Sequence, residues 1–141
     1  MYAPLSFAVW ALFATPADEP AVPKELVGVW RLDSTSHNGA PPAKPDGPTW
    51  LVVFDNGDFV TKGTKNMWGG TVVVDAKAAP AAIDIRITLR TGNGPERFTN
   101  LGVYELKERV LTLARMPDGK GRPATLTRGP DIVLQVFGKT R

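Results

Sequence analysis

Few side chains in this sequence are of the kinds that carry chemistry, and the setting of each decides what it could do. Ile83-Asp84-Ile85 puts a carboxylate among isoleucines. Turned inward, it would have a raised pKa and could act as an acid or base. Its alternation partners Arg86 and Arg90 point instead to an outward, ion-pairing face. Arg122, before Pro123 on a loop, could clamp a ligand carboxylate through two parallel hydrogen bonds, hold loop carbonyls, or pair with Glu105 or Asp84. "DNGD" at Asp55 to Asp58 has a calcium-like look, yet Asn66 stands twelfth where an EF-hand loop needs a bidentate Glu. A hairpin turn is the better reading. His37 stands alone beside Asn38-Gly39, with no Ser or carboxylate constellation to join.

Cysteine is absent, which removes disulfides, thiolate nucleophiles, zinc ribbons and iron–sulfur ligation together. A single histidine argues against His-based zinc sites and triads. The sequence therefore predicts a non-catalytic protein without cofactor or metal.

The aromatics are the larger question: Trp50, Phe54, Phe59, Trp68, Tyr104 and Phe137. Strand alternation can place several of them inside one wall, as a packed core or as the lining of a ligand site. Met67 and Trp68 read as part of a Gly-flanked loop, where a mouth could touch a ligand. The candidate ligand-binding set is Trp50, Met67, Trp68, Tyr104 and Arg122.

The elements that must position these residues are strands. Ile83 to Arg90 alternates apolar and polar over eight positions, a strand with one wet face. Around it, further strands are predicted at Val27–Ser36, Trp50–Phe54, Phe59–Lys62, Thr71–Val74, Phe98–Leu106 and Val110–Arg115. Ala124–Arg128 and Ile132–Gly138 read as a last hairpin around Gly129-Pro130-Asp131. Asn56-Gly57 predicts a type I′ turn, and Gly69-Gly70 a bulge or sharp bend. Lys107-Glu108-Arg109 is a tight link without the usual glycine. Pro23 to Leu26 is a single helical turn with proline at its start. Eight or nine consecutive antiparallel strands predict an up-and-down β-barrel or a sandwich.

Gly28 and Trp30 favour the barrel. One open end of a barrel must be closed against water, and a helical turn followed by a buried indole does this with one large ring. Gly28 lets the chain turn sharply from that plug into the first strand. A basic side chain from the far end of the chain, Lys139 or Arg141, is expected to stack on the indole.

G-x-W at the first strand is a feature shared with lipocalins, and the likeness extends along the chain. Leu26, Gly28 and Trp30; Pro80, Ile83 and Asp84; Gly102, Tyr104, Glu105 and Leu106; and Arg122-Pro123 follow in order. In this order they resemble an uncharacterised conserved domain abundant in planctomycete proteins, over nearly all of residues 24–141. That resemblance implies a lipocalin-like antiparallel barrel and export, and it implies no reaction. Two departures are Lys107-Glu108 in place of a Gly-Asp turn, and Ala114 where members often carry cysteine.

Residues 1–17 contain no charged side chain, and Leu5 to Phe13 is an apolar block followed by Thr15-Pro16-Ala17. They predict a signal peptide before a single domain at 18–141, and hence a periplasmic or extracellular protein. The missing Lys or Arg ahead of the block makes the signal atypical. No later stretch could span a membrane as a helix. From Lys107 onward there are eight Lys/Arg against three Asp/Glu. The functional expectation is a monomer that takes a small, largely apolar molecule in or at the barrel mouth, with no nucleic acid partner. The alternative is a filled barrel that binds an envelope protein or polyanion through its basic C-terminal third.

Overall fold

In the computed structural model, which describes residues 22–64 and 67–140, eight strands follow one another around a closed antiparallel barrel. They are β1 (Gly28–His37), β2 (Trp50–Val53), β3 (Asp58–Lys62), β4 (Met67–Asp75), β5 (Ala81–Thr91), β6 (Gly94–Lys107), β7 (Val110–Met116) and β8 (Val133–Lys139). Each pairs with its sequence neighbours, and β8 returns to pair with β1, so no strand edge is left open. Among the described residues no helix is long and apolar enough to cross a membrane. The proposed leader at 1–17 and Arg141 lie outside the described residues.

Alternation sorts the two faces. Ile83, Ile85 and Ile87 on β5 lie opposite Val74, Val72 and Gly70 on β4, and the three isoleucines are buried. The same inward parity runs through Leu51, Val53 and Phe59 and on to Leu111, Leu113 and Phe137. Asp84 and Arg86 take the other face, as the sequence predicts.

Trp30 closes one end. It is fully buried, and its indole Nε1–H donates to the Leu26 carbonyl at 2.9 Å, tying the ring to the 3-10 turn Lys24–Leu26 that precedes β1. The Lys139 ammonium sits 5.4 Å from the ring centroid and donates to the Glu25 carbonyl. Lys139 thus fills the role the sequence leaves open between it and Arg141. Gly28 has φ of 138°, and a Cβ there would stand 2.9 Å from the Lys139 side-chain stem. Glycine is needed at this position both for its conformation and for the close approach of the lysine.

Several local expectations are corrected. Ala124–Arg128 is not a strand; residues 117–132 form one long connection between β7 and β8. With β8 already bonded to both β7 and β1, the barrel has no edge to accept another strand. Instead the connection lies against the outside of the wall, where Pro123 is buried and Arg122 is anchored. It covers Val103 and Ala114, outward-facing cross-strand partners that are 2% and 0% exposed.

Asn56-Gly57 does not form a type I′ turn. Gly57 N donates to Phe54 O at 3.1 Å, and Gly57 has positive φ while Asn56 does not. This is a type I turn with glycine at the following left-handed position, braced by Asn56 Oδ1 accepting from the Asp58 amide. Gly69 and Gly70 are not a bulge, because β4 pairs in unbroken register through both. Met67 and Trp68 consequently belong to a strand and not to a loop.

The link after β6 is the true two-residue primed turn. Glu108 (φ 50°) and Arg109 (φ 69°) are both left-handed, between the paired Lys107 and Val110. A long side chain in this region is strained, whereas asparagine tolerates it. Glu108→Asn should therefore raise stability by about 0.5–1 kcal/mol. In urea unfolding the midpoint should rise at unchanged slope, and a lower midpoint would contradict this account of the turn.

Candidate functional site

Closing the barrel leaves a narrow cavity of about 60 Å³ along its axis. From Leu26 at the plugged end it passes Val53, Ile83, Phe59, Leu113 and Phe137. At the other end it meets Thr49, Thr61, Trp68, Arg115 and Gln135. The apolar surround and the polar group therefore occupy opposite ends, and the polar end is the one away from Trp30.

Parity places each of these side chains. Leu111, Leu113 and Arg115 alternate on β7, and Arg115 lies opposite Gly102, whose missing side chain leaves space there. A Cβ on Gly102 would stand 3.3 Å from Arg115 Cβ. On β8, Gln135 and Phe137 alternate in the same way, facing Leu113 and Leu111. Arg115 Nε donates to Gln135 Oε1 at 3.3 Å. Burial pulls the Arg115 guanidinium below its ordinary pKa range, and no charged neighbour contributes to that shift. It remains a cation at neutral pH. Among the described residues the only ion pair is Arg122 with Asp84, so Arg115 has no carboxylate partner there.

Of the candidate ligand-binding set, Trp68 alone lines the cavity, joined there by Phe59 and Phe137 from the other aromatics named from the sequence. The Trp68 ring meets Phe59 edge-on, with centroids 5.8 Å apart at 88°. The structure does not bring the others to it. Trp50 neighbours the inward Leu51 and takes the outer face, where the Arg31 guanidinium lies 5.7 Å from its ring centroid. Met67 is 71% exposed. Phe54 is also exposed, beside the β2–β3 turn.

Tyr104 shares the inward parity of its partner Leu113 and is buried in the core near the plugged end. There it also lines a separate groove at the barrel base with Pro23, Glu25, Pro80 and Leu106. Burial pushes its phenol pKa up, and the nearby carboxylates Glu25 and Asp75 add to the effect. The phenol is accordingly neutral.

Arg122 stands on the outer wall. Its Nη1 donates to Gly102 O at 2.8 Å and Ile83 O at 3.2 Å, and its Nη2 to Asp84 Oδ1 at 2.5 Å. These three bonds bind the 117–132 connection to β5 and β6; the pairing with Asp84 is the one weighed from the sequence, whereas the carbonyls held belong to strands and not to the loop. The guanidinium facing the interior is that of Arg115.

Sequence reasoning missed Arg115 and Gln135, although the pattern held a signal. "LTLAR" and "QVF" alternate so that Arg115 shares a face with Leu111 and Leu113, and Gln135 with Phe137. Among the described residues no group of three or more His, Asp or Glu is placed to hold a metal. His37 is exposed, its Nε2 3.4 Å from Thr35 Oγ1. Compared with protein-family models, curated proteins and solved structures, the chain matches none.

Proposed function

We propose that this is an exported, non-catalytic binding module of lipocalin-like type, which takes a small, largely apolar molecule into the barrel from the end opposite Trp30. The observation that carries the reading is the axial cavity, apolar along its length with polar groups at one end only. Its volume narrows the ligand. In these terms about 60 Å³ holds roughly four water molecules, far less than a drug-sized site requires. Kinship with the planctomycete domain is part of the same reading, supported by the ordered motifs from Leu26 to Pro123. Export is supported by the uncharged apolar start of the chain.

The alternative, a filled barrel acting through its surface, gains from the small size of the cavity but not from its basic side chains. Arg109, Arg122, Arg128 and Lys139 in the basic C-terminal third are each engaged with carbonyl groups of the protein itself. Holding the fold accounts for them without a polyanion.

Trp68 offers the test, because it lies in the cavity wall. Titration with butan-1-ol or hexan-1-ol should change tryptophan fluorescence saturably and raise the melting temperature. Trp68→Phe should remove most of the fluorescence response. If no small apolar probe produces a saturable change, the binding reading fails and the surface alternative gains.

A further inference from the structure

We infer that Arg115 and Gln135 form a head-group site, and that the molecule taken by the barrel is a short-chain monocarboxylate. Its carboxylate would lie against the guanidinium, and its alkyl tail would run among Phe59, Trp68 and Leu113 toward Leu26. This deepens the proposed function and rests on it.

Charge complementarity comes first. Arg115 is half-buried at the polar end of an apolar lining, a setting in which a cation is best met by an anion or several acceptors. Among the described residues Arg115 has one hydrogen bond, from Nε to Gln135 Oε1, and no carboxylate partner. That bond orients the guanidinium and occupies Nε, leaving the Nη1 and Nη2 groups as donors. The Gln135 amide nitrogen adds donors of its own beside them. A planar fork of N–H groups matches two carboxylate oxygens. One cationic side chain balances one negative charge, whereas a phosphate monoester would bring close to two.

Shape comes second. Thr49 and Thr61 share the polar end, and below it the lining is aliphatic and aromatic down to the plug. A molecule suited to this cavity is charged at one end and apolar for the rest. With about 60 Å³ available, the tail is short, and a long fatty acyl chain would require Phe59 and Trp68 to move.

The test compares hexanoate with hexan-1-ol, which share a chain and differ in the head group, by calorimetry on the intact protein at pH 7. Hexanoate should bind at least about tenfold more tightly. Arg115→Met, which keeps the side-chain length and removes the charge, should abolish that preference, bringing the two affinities together. Arg115→Lys, keeping charge without the fork, should retain part of it. A second reading needs no variant: the carbon-13 carboxyl resonance of bound hexanoate should titrate at lower pH than that of the free acid, because the adjacent cation favours the anion.

Equal affinity of the two ligands for the wild-type protein would overturn the head-group site and leave apolar binding standing. So would a preference that survives in Arg115→Met. Binding of neither ligand, nor of butan-1-ol, would overturn the cavity reading itself. Palmitate binding more tightly than hexanoate would overturn the assignment of a short chain.

Discussion

Trp30→Ala is expected to destabilise the protein by about 3–5 kcal/mol, the range for removing a fully buried tryptophan from a core. Against a total stability of roughly 5–15 kcal/mol for a domain of this size, much of the folded population would be at risk. Two features place the cost toward the upper part of the range. The indole N–H satisfies the Leu26 carbonyl, so its loss leaves a buried acceptor without its donor. The ring also separates the Lys139 ammonium from the barrel interior, at 5.4 Å. Removing it would extend the axial cavity toward that charge, since Leu26 already lines the cavity. Trp30→Phe keeps an aromatic face and should cost less, about 1–2 kcal/mol. Urea unfolding followed by circular dichroism separates the two. An alanine variant within 1 kcal/mol of wild type would mean that the ring does not close the barrel.

Gly70→Ala should cost about 3 kcal/mol or more, beyond what a buried methyl in a loose site would. Gly70 lies at the middle of β4 opposite Ile87, on the inward face. A Cβ there would overlap the carbonyl oxygen of Arg86, a backbone atom of the neighbouring strand. Arg86 is itself a ladder position opposite Thr71. Relief would mean parting β4 from β5, with loss of paired hydrogen bonds on both sides. Gly69 is similarly confined: an added Cβ would stand 2.6 Å from the Phe59 carbonyl oxygen. Gly92, at the β5–β6 turn, has nothing within 4 Å of its added Cβ, so Gly92→Ala serves as the control and should be nearly neutral. Melting temperatures of the two variants decide the matter: a Gly70→Ala protein as stable as Gly92→Ala would show that the strands have room to separate.

The long strands were legible because alternation is a local property. Ile83 to Arg90 reads the same in isolation as in the barrel, and β5 adds only a residue or two at its ends. Ala124–Arg128 shows where local pattern ends. Whether a strand-like stretch becomes a strand depends on a free edge, and closure between β8 and β1 removed the last one. Trp50 and Trp68 make the same point for the site. Both are tryptophans on paired strands, yet Trp50 lies beside inward Leu51 and turns out, while Trp68 pairs with Thr61 and turns in. Arg122 and Arg115 are a second such pair. One is drawn to the wall by two carbonyls and a carboxylate, and the other shares the inward parity of two leucines.

By itself the sequence determined the all-β class, most strand positions, the plug formed by Leu26, Gly28 and Trp30, and the absence of cysteine chemistry. All of these follow from residue type, spacing and period, which are properties of neighbours along the chain. Only the tertiary structure decided that eight strands close on themselves, that Arg122 braces the outside, and that an axial cavity ends at Arg115 and Gln135. These depend on register between strands and on which face closure turns inward, and a shift of one residue would exchange the two faces.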